Sequence, residues 1–259
     1  MPISNPITSS WLEERAEELK ASIVFSTRLP LVRATPIGAG AIAKAAWAFP
    51  ITGILVGMIG AVVYALAHKF GVPAWPAAAL TVTATLLATG CLHEDGLADT
   101  ADGFGGGTSR ELKLDIMRDS HIGAYGVCAL ILSLLLRVSV LASLPSAHAV
   151  VWALIAAHGG ARAAMMAFMF LLPPARRDGL SFDAGRPPGD SVAAAGVLGF
   201  LIVAICLHPG RGILALLLLL VVIAFMAWLS SKEIEGQTGD VLGAVEQVSE
   251  IAILLVALG

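Results

Sequence analysis

Charge is what this sequence has least of. Only 14% of its 259 residues are Asp, Glu, Lys or Arg, against 57% hydrophobic residues, and the mean hydropathy is +0.85. A soluble domain of ordinary composition carries roughly a quarter charged residues. The deficit excludes a water-soluble globule and assigns the apolar excess to a bilayer. Cysteine is almost missing. Cys91, Cys128 and Cys206 fall inside apolar stretches at no metal-ligand spacing, which excludes a cysteine metal centre and leaves them as core residues. No basic cluster is present and the net charge is −3, so no nucleic-acid partner is expected. The N-terminus lacks the basic-then-apolar pattern of a secretory leader. Neither an internal repeat nor a second domain is visible, and residues 1–259 read as a single membrane domain.

Long apolar stretches are plentiful instead. They run over about 45–67, 74–92, 123–144, 147–172, 191–207, 212–230 and 241–258, each near the roughly 17 to 25 residues a helix needs to cross the hydrocarbon. Only helices satisfy their own backbone there without closing into a barrel. The sequence therefore predicts an all-α polytopic bundle of about seven transmembrane helices. Twelve of the sixteen Lys and Arg residues lie in alternate connections, 1–44, 93–122, 173–190 and 231–240. Positive residues favour the cytoplasmic side, which puts the N-terminus and these four segments there. Within 1–44, "SSWLEERAEELKASIVFSTRLP" predicts an amphipathic helix capped by Ser9 or Ser10 and stopped by Pro30, lying on the membrane surface.

One connection stands apart. "CLHEDGLADTADGFGGG", residues 91–107, packs Glu94, Asp95, Asp99 and Asp102 into nine positions where a span ends. Continued as helix, Asp95, Asp99 and Asp102 are spaced i, i+4, i+7 and occupy an arc of about 60°. Close carboxylates repel unless a cation sits among them. Hard oxygen ligands of this kind suit Mg²⁺ with waters and phosphate oxygens. Glu94 points off that face. His93 adjoins the cluster and is a candidate for proton transfer. The plainer reading is a solvated acidic loop that marks the membrane boundary.

Further along, "SRELKLDIMRDSHIGAYG" opens a short helix at Thr108 or Ser109 and supplies Arg110, Lys113 and Arg118 as phosphate-binding candidates, Arg118 foremost. Charges inside spans are functional candidates by default. Arg162, one turn from His158, calls for a phosphate or a buried acid, and Arg137 for an acid partner. Asp240 opens the last span, with Glu246 and Glu250 one turn apart within it. Those two either serve substrate or pair structurally with Arg137 or Arg162. The Pro/Gly-rich segment "PPARRDGLSFDAGRPPGD" covers the site or sets topology.

"LHEDGLADTADGF", "RELKLDIMRDSHIGAYG" and "GQTGDVLGAVEQVSE", with "FSTRLP", "FPITGILVG" and "LPPARRDGLS" in the same order, resemble the cobalamin synthase family, the adenosylcobinamide-GDP ribazoletransferases, over nearly the whole chain. The resemblance implies a Mg²⁺-requiring enzyme of the bacterial inner membrane that joins α-ribazole, or its 5′-phosphate, to adenosylcobinamide-GDP and releases GMP. His93, Asp95, Asp99, Asp102, Arg118, Asp119 and Asp240 match the family's residues. The first four are then the catalytic candidates, with Asp95, Asp99 and Asp102 as metal ligands and Asp102 also a candidate base. Arg110, Lys113, Arg118, Arg162, Asp240 and Glu246 are the substrate-binding candidates. Glu94 departs from the family's usual apolar residue, and His121 from a position often basic. Organisation with other membrane-bound pathway enzymes, and a homo-oligomer, are both compatible with this reading. Competing readings are a CDP-alcohol phosphotransferase, whose D-G-x-x-A-R pattern is matched only in its opening, and an intramembrane prenyltransferase, whose second Asp-rich segment is missing. A transporter fits least, since it expects midplane charges and a repeat.

Overall fold

The computed structural model describes residues 6–30 and 40–259, with side chains from residue 10 onward; Arg33 of the basic N-terminal segment lies outside them. Twelve α-helices follow in order: α1 (Pro6–Ser26), α2 (Ala41–Lys44), α3 (Phe49–Lys69), α4 (Ala74–Thr89), α5 (Leu92–Gly106), α6 (Arg110–Ile116), α7 (Ala124–Ser143), α8 (Ala147–Leu171), α9 (Leu180–Ala184), α10 (Gly189–Leu207), α11 (Pro209–Ile234) and α12 (Gly239–Leu258). A 3₁₀ turn joins α2 to α3, and no strand occurs among the described residues. The all-α membrane bundle expected from the sequence is what forms.

Among the described residues six segments are long and apolar enough to cross a bilayer: 41–69, α7, α8, α10, α11 and α12. The second expected span, 74–92, is not one helix. α4 ends at Gly90 and α5 begins after Cys91, both in left-handed conformation (φ 66° and 60°), with a 90° bend between the helices. Packing directions show what the broken pair does. Gly53 and Gly57 of α3 lie against the backbone at His158 and Leu154 of α8, so these helices run antiparallel. Gly199 of α10 meets Ala163, and Gly160 of α8 meets Val203, again antiparallel. Arg137 of α7 reaches Glu94 near the start of α5, while Asp102 near its end reaches Gly123 and Gly126 at the head of α7. Hence α4 and α5 together carry the chain back to the face where α3 begins, making a seventh passage. The acidic stretch is accordingly a packed helix, not the loop 93–122 expected.

Small residues make these contacts close. A Cβ at Gly53 would fall 2.2 Å from the His158 carbonyl oxygen, and one at Gly57 2.7 Å from that of Leu154. Where lipid and protein are equally apolar, such backbone approach is a main source of helix association. The buried apolar residues form two groups. One lies deep among α3, α4, α7, α8, α10, α11 and α12; the other, rich in methionine (Met117, Met165, Met166, Met169, Met226), underlies the site.

α1 already runs through Ser9 and Ser10 in its described span Pro6–Ser26, so neither serine is its cap. Its second half docks on the bundle rather than lying free on a membrane surface. Ser22 and Thr52 hydroxyls are 2.7 Å apart, Trp47 Nε1 donates to Glu18, and Phe25 packs edge-on to Phe49. The cysteines also depart from expectation: Cys91 and Cys128 are exposed and Cys206 is half-buried.

The connections on the site face are laced together. Ala175 N–H donates to Gln237 O (2.8 Å) and Gln237 N–H to Pro173 O (2.9 Å). Ser181 donates to the Gln237 side chain (2.7 Å). Arg110 donates to the carbonyls of Ile234 (3.1 Å) and Ala175 (2.5 Å).

Candidate active site

α5 owes its position to two glycines. Gly96 lies against the backbone of Asp240, where a Cβ would come within 2.7 Å of the carbonyl oxygen, and Gly243 lies against His93. The backbones of α5 and α12 therefore touch, and Asp240 is brought beside the acidic face. Asp99 feels repulsion from Asp95, Asp240 and Asp102, and attraction from Arg176. Arg176 Nη2 is 3.6 Å from Asp240 Oδ2, which also accepts from the Thr238 hydroxyl at 3.1 Å. Thr238 in turn caps α12 by accepting from Val241 N–H.

The four acids of the segment meet four different fates. Glu94 is buried and accepts from Arg137 Nη1 (2.7 Å) and Gln247 Nε2 (3.1 Å). Asp102 is buried, and its two oxygens accept from Gly123 N–H (2.7 Å) and Gly126 N–H (2.9 Å). A side chain at either glycine would collide with that carboxylate. Asp102 thus caps α7, with one backbone N–H on each of its oxygens. Asp95 is exposed and Asp99 half-buried. Neither has a side-chain hydrogen bond or ion pair among the described residues. Two unpartnered carboxylates crowded by further acids form a donor set that fits a hard divalent cation, which commonly takes only one or two protein carboxylates beside phosphate oxygens and waters.

The intramembrane charges form a separate, deeper network. Arg162, fully buried, pairs with Glu246 at 2.7 Å. Arg137 Nε lies 2.8 Å from Glu250, which also meets His158 Nδ1 at 3.2 Å. His93 faces inward, 3.8 Å from Glu246. Of the two readings of Arg162 left open by sequence, the buried acid is the one found, and the expected substrate contacts of Arg162 and Glu246 give way to an ion pair with no exposed surface. His158, Glu246 and Glu250 are, among the described residues, the one group whose ligand atoms converge within 4.8 Å. Their carboxylates already face arginines, Glu246 with Arg162 and Glu250 with Arg137, so this group reads as an ion-pair network. Asp95, Asp99 and Asp102 do not converge that closely.

The expected phosphate contacts are mostly engaged as well. Arg110 holds the two carbonyls described above. Lys113 pairs with Glu233. Arg118 Nη2 bonds both oxygens of Asp178 (2.6 and 2.7 Å), exposed to water. Asp119 accepts from His121, and that hydrogen bond holds its carboxyl below the usual range. Arg176 joins the site, in keeping with the reading of its loop as a cover for the site; the i, i+4 rule that groups Asp95 with Asp99 has no counterpart that would single it out within a loop.

Two clefts open on the acidic face. One, of about 530 Å³, is lined by Asp95, Asp99, Arg118, Asp119 and Ser120. The other, of about 720 Å³, is lined by Phe25, Thr27, Arg28, Gly90, Asp95 and Leu180.

A family model described as cobalamin-5-phosphate synthase matches residues 18–258. Among curated proteins, the adenosylcobinamide-GDP ribazoletransferase of Bradyrhizobium diazoefficiens is 53% identical, over 93% of this chain and 92% of the relative. Its namesake from Mesorhizobium japonicum is 54% identical over the same shares. That of Azorhizobium caulinodans is 46% identical over 92% and 94%. No solved structure matches significantly.

Proposed function

The chain belongs to the cobalamin-5-phosphate synthase family, and from that premise we propose that this multi-pass membrane transferase of cobamide synthesis joins α-ribazole or its 5′-phosphate to adenosylcobinamide-GDP. In this reaction a ribose hydroxyl oxygen bonds to the phosphorus carried by the cobinamide. The P–O bond to the second phosphorus breaks, and GMP leaves with the electron pair. The hydroxyl proton passes to a carboxylate of the site.

The observation that carries this reading is the pair of carboxylates, Asp95 and Asp99, unpartnered among the described residues and lining one cleft, with Asp240 and Arg176 near Asp99. Asp95 and Asp99 would hold Mg²⁺, which would supply charge neutralisation at the diphosphate. Phosphoryl transfer of this kind depends on positioning and charge stabilisation more than on a covalent nucleophile. Arg176 adds a fixed positive charge at the same place. Asp240, set on a different helix and steadied by Thr238, adds a further carboxylate beside Asp99. Asp102 fixes the face from behind by tying α5 to α7. His93 and the deeper ion network hold α5 against α12 and touch no substrate.

The excess of Lys and Arg on the site face supports a cytoplasmic orientation by the positive-inside rule, in the inner membrane. The competing lipid-directed readings expect a hydrophobic tunnel leading to the acids. The 720 Å³ cleft instead mixes Thr27, Arg28 and Thr89 with apolar residues. Detergent-purified protein given each substrate class separately tests the proposal: GMP release with the cobinamide nucleotide supports it, and turnover only with CDP-alcohols or prenyl diphosphates overturns it.

A further inference from the structure

We propose that Arg28 is a substrate-phosphate contact: it binds the diphosphate of the guanosine-diphosphate-activated substrate in the 720 Å³ cleft, while the nucleoside acceptor occupies the 530 Å³ cleft. The inference rests on the reaction proposed above and assigns its two substrates to two sides of one carboxylate. The clefts have only Cys91 and Asp95 in common. A displacement at phosphorus brings nucleophile and leaving group in from different sides, and two clefts that share only these residues give the two substrates separate places beside Asp95.

The charges of the two clefts differ in kind. In the 530 Å³ cleft, Arg118 is held by Asp178, Asp119 by His121, and Glu94 by Arg137. In the 720 Å³ cleft the charged residues are Arg28 and Asp95 alone. Arg28 is exposed and makes no ion pair or side-chain hydrogen bond among the described residues. It is the cation left over in either cleft.

Its placement is nonetheless built. After α1, Thr27 turns the chain by bonding Ile23 O (2.8 Å) and accepting from Leu29 N–H (3.4 Å). Arg28 N–H then donates to Ala88 O at the end of α4 (2.8 Å). The side chain runs across Gly90, where a Cβ would lie 2.7 Å from Arg28 Cγ and 2.8 Å from Nε. Backbone pinning and a bare glycine beneath the stem set the guanidinium over the α4–α5 break, in the cleft that Asp95 also lines. A planar fork of donors at that point matches the oxygens of a diphosphate better than those of a neutral nucleoside.

The test measures both turnover and binding in Arg28→Ala, Arg28→Lys and the unaltered enzyme. Arg28→Ala raises KM for adenosylcobinamide-GDP at least tenfold and leaves KM for α-ribazole within twofold; Arg28→Lys falls between. GDP with Mg²⁺, used as a probe without turnover, binds the alanine variant at least tenfold more weakly. Unchanged GDP affinity, or equal rises in both KM values, overturns the assignment, as does absence of GDP binding by the unaltered protein. Should Arg28→Ala fail to fold, Arg28→Lys carries the same comparison. An unaltered protein that binds GDP through Arg28 yet releases no GMP would refute the proposed reaction while leaving Arg28 as a nucleotide contact.

Discussion

Asp95 and Asp102 sit on one face of one helix, two turns apart, and do different work. Among the described residues Asp95 and Asp99 have no hydrogen-bond or ion-pair partner, whereas each oxygen of Asp102 accepts from a backbone N–H, of Gly123 or Gly126. Asp95→Asn and Asp99→Asn should each lower turnover on the order of a hundredfold, comparable to loss of a transition-state charge contact. Their thermal midpoints should stay near that of the unaltered protein, because no internal bond is lost. Asp102→Ala reverses the pattern at the level of stability: it leaves two donors at the head of α7 unpaired, at a cost of about 1–3 kcal/mol each when buried. Parallel thermal unfolding and GMP-release assays separate the two classes. A stable, active Asp102→Ala variant would remove the anchoring role. The i, i+4, i+7 spacing made the shared face legible from sequence. It could not show that the last acid is spent on α7, because the partner N–H groups lie 21 and 24 residues away.

At the scale of elements, the site depends on α5 touching α12. Gly96→Ala sets a methyl 2.7 Å from the Asp240 carbonyl oxygen and must push the two helices apart. Displacement of this order misplaces the carboxylates and is expected to cost tenfold or more in turnover. Gly196→Ala, where a Cβ meets nothing within 4 Å, is the matched control and should leave activity unchanged. Equal activity in both variants would show that α5 can shift without harm. The broken passage α4–α5 marks where sequence reading falls short. Apolar length placed a span at 74–92, but the turn at its end uses a left-handed Cys91, a conformation rare for residues other than glycine. Gly90 alone would have signalled an ordinary helix end. Elsewhere length and hydropathy sufficed: α7, α8, α10 and α12 begin and end within two residues of the expected limits.

The molecule as a whole is held by helices joined through buried ion pairs. Glu94, Glu246 and Glu250 from α5 and α12 meet Arg137 and Arg162 from α7 and α8, tying four passages together. Removing one member is worse than removing a pair. Arg162→Met strands Glu246 and should cost about 3–5 kcal/mol, while the double change Arg162→Met with Glu246→Leu should recover most of it. Unfolding in detergent measures both. If the single variant is as stable as the double, the pair is not a structural unit and a direct role for Arg162 returns. Sequence announced that these charges needed partners. It left the choice between phosphate and acid to the packing of α8 on α12, which no local spacing encodes.

The central claim is that Asp95 and Asp99 organise a Mg²⁺-dependent transfer from a cobinamide nucleotide to α-ribazole. The most direct measurement is GMP release by the purified protein with adenosylcobinamide-GDP, with and without α-ribazole and Mg²⁺, alongside Asp95→Asn. The account predicts release only when α-ribazole and Mg²⁺ are both present, and near loss of it in the variant. Release that persists without Mg²⁺, or an Asp95→Asn protein that turns over at the normal rate, would contradict it.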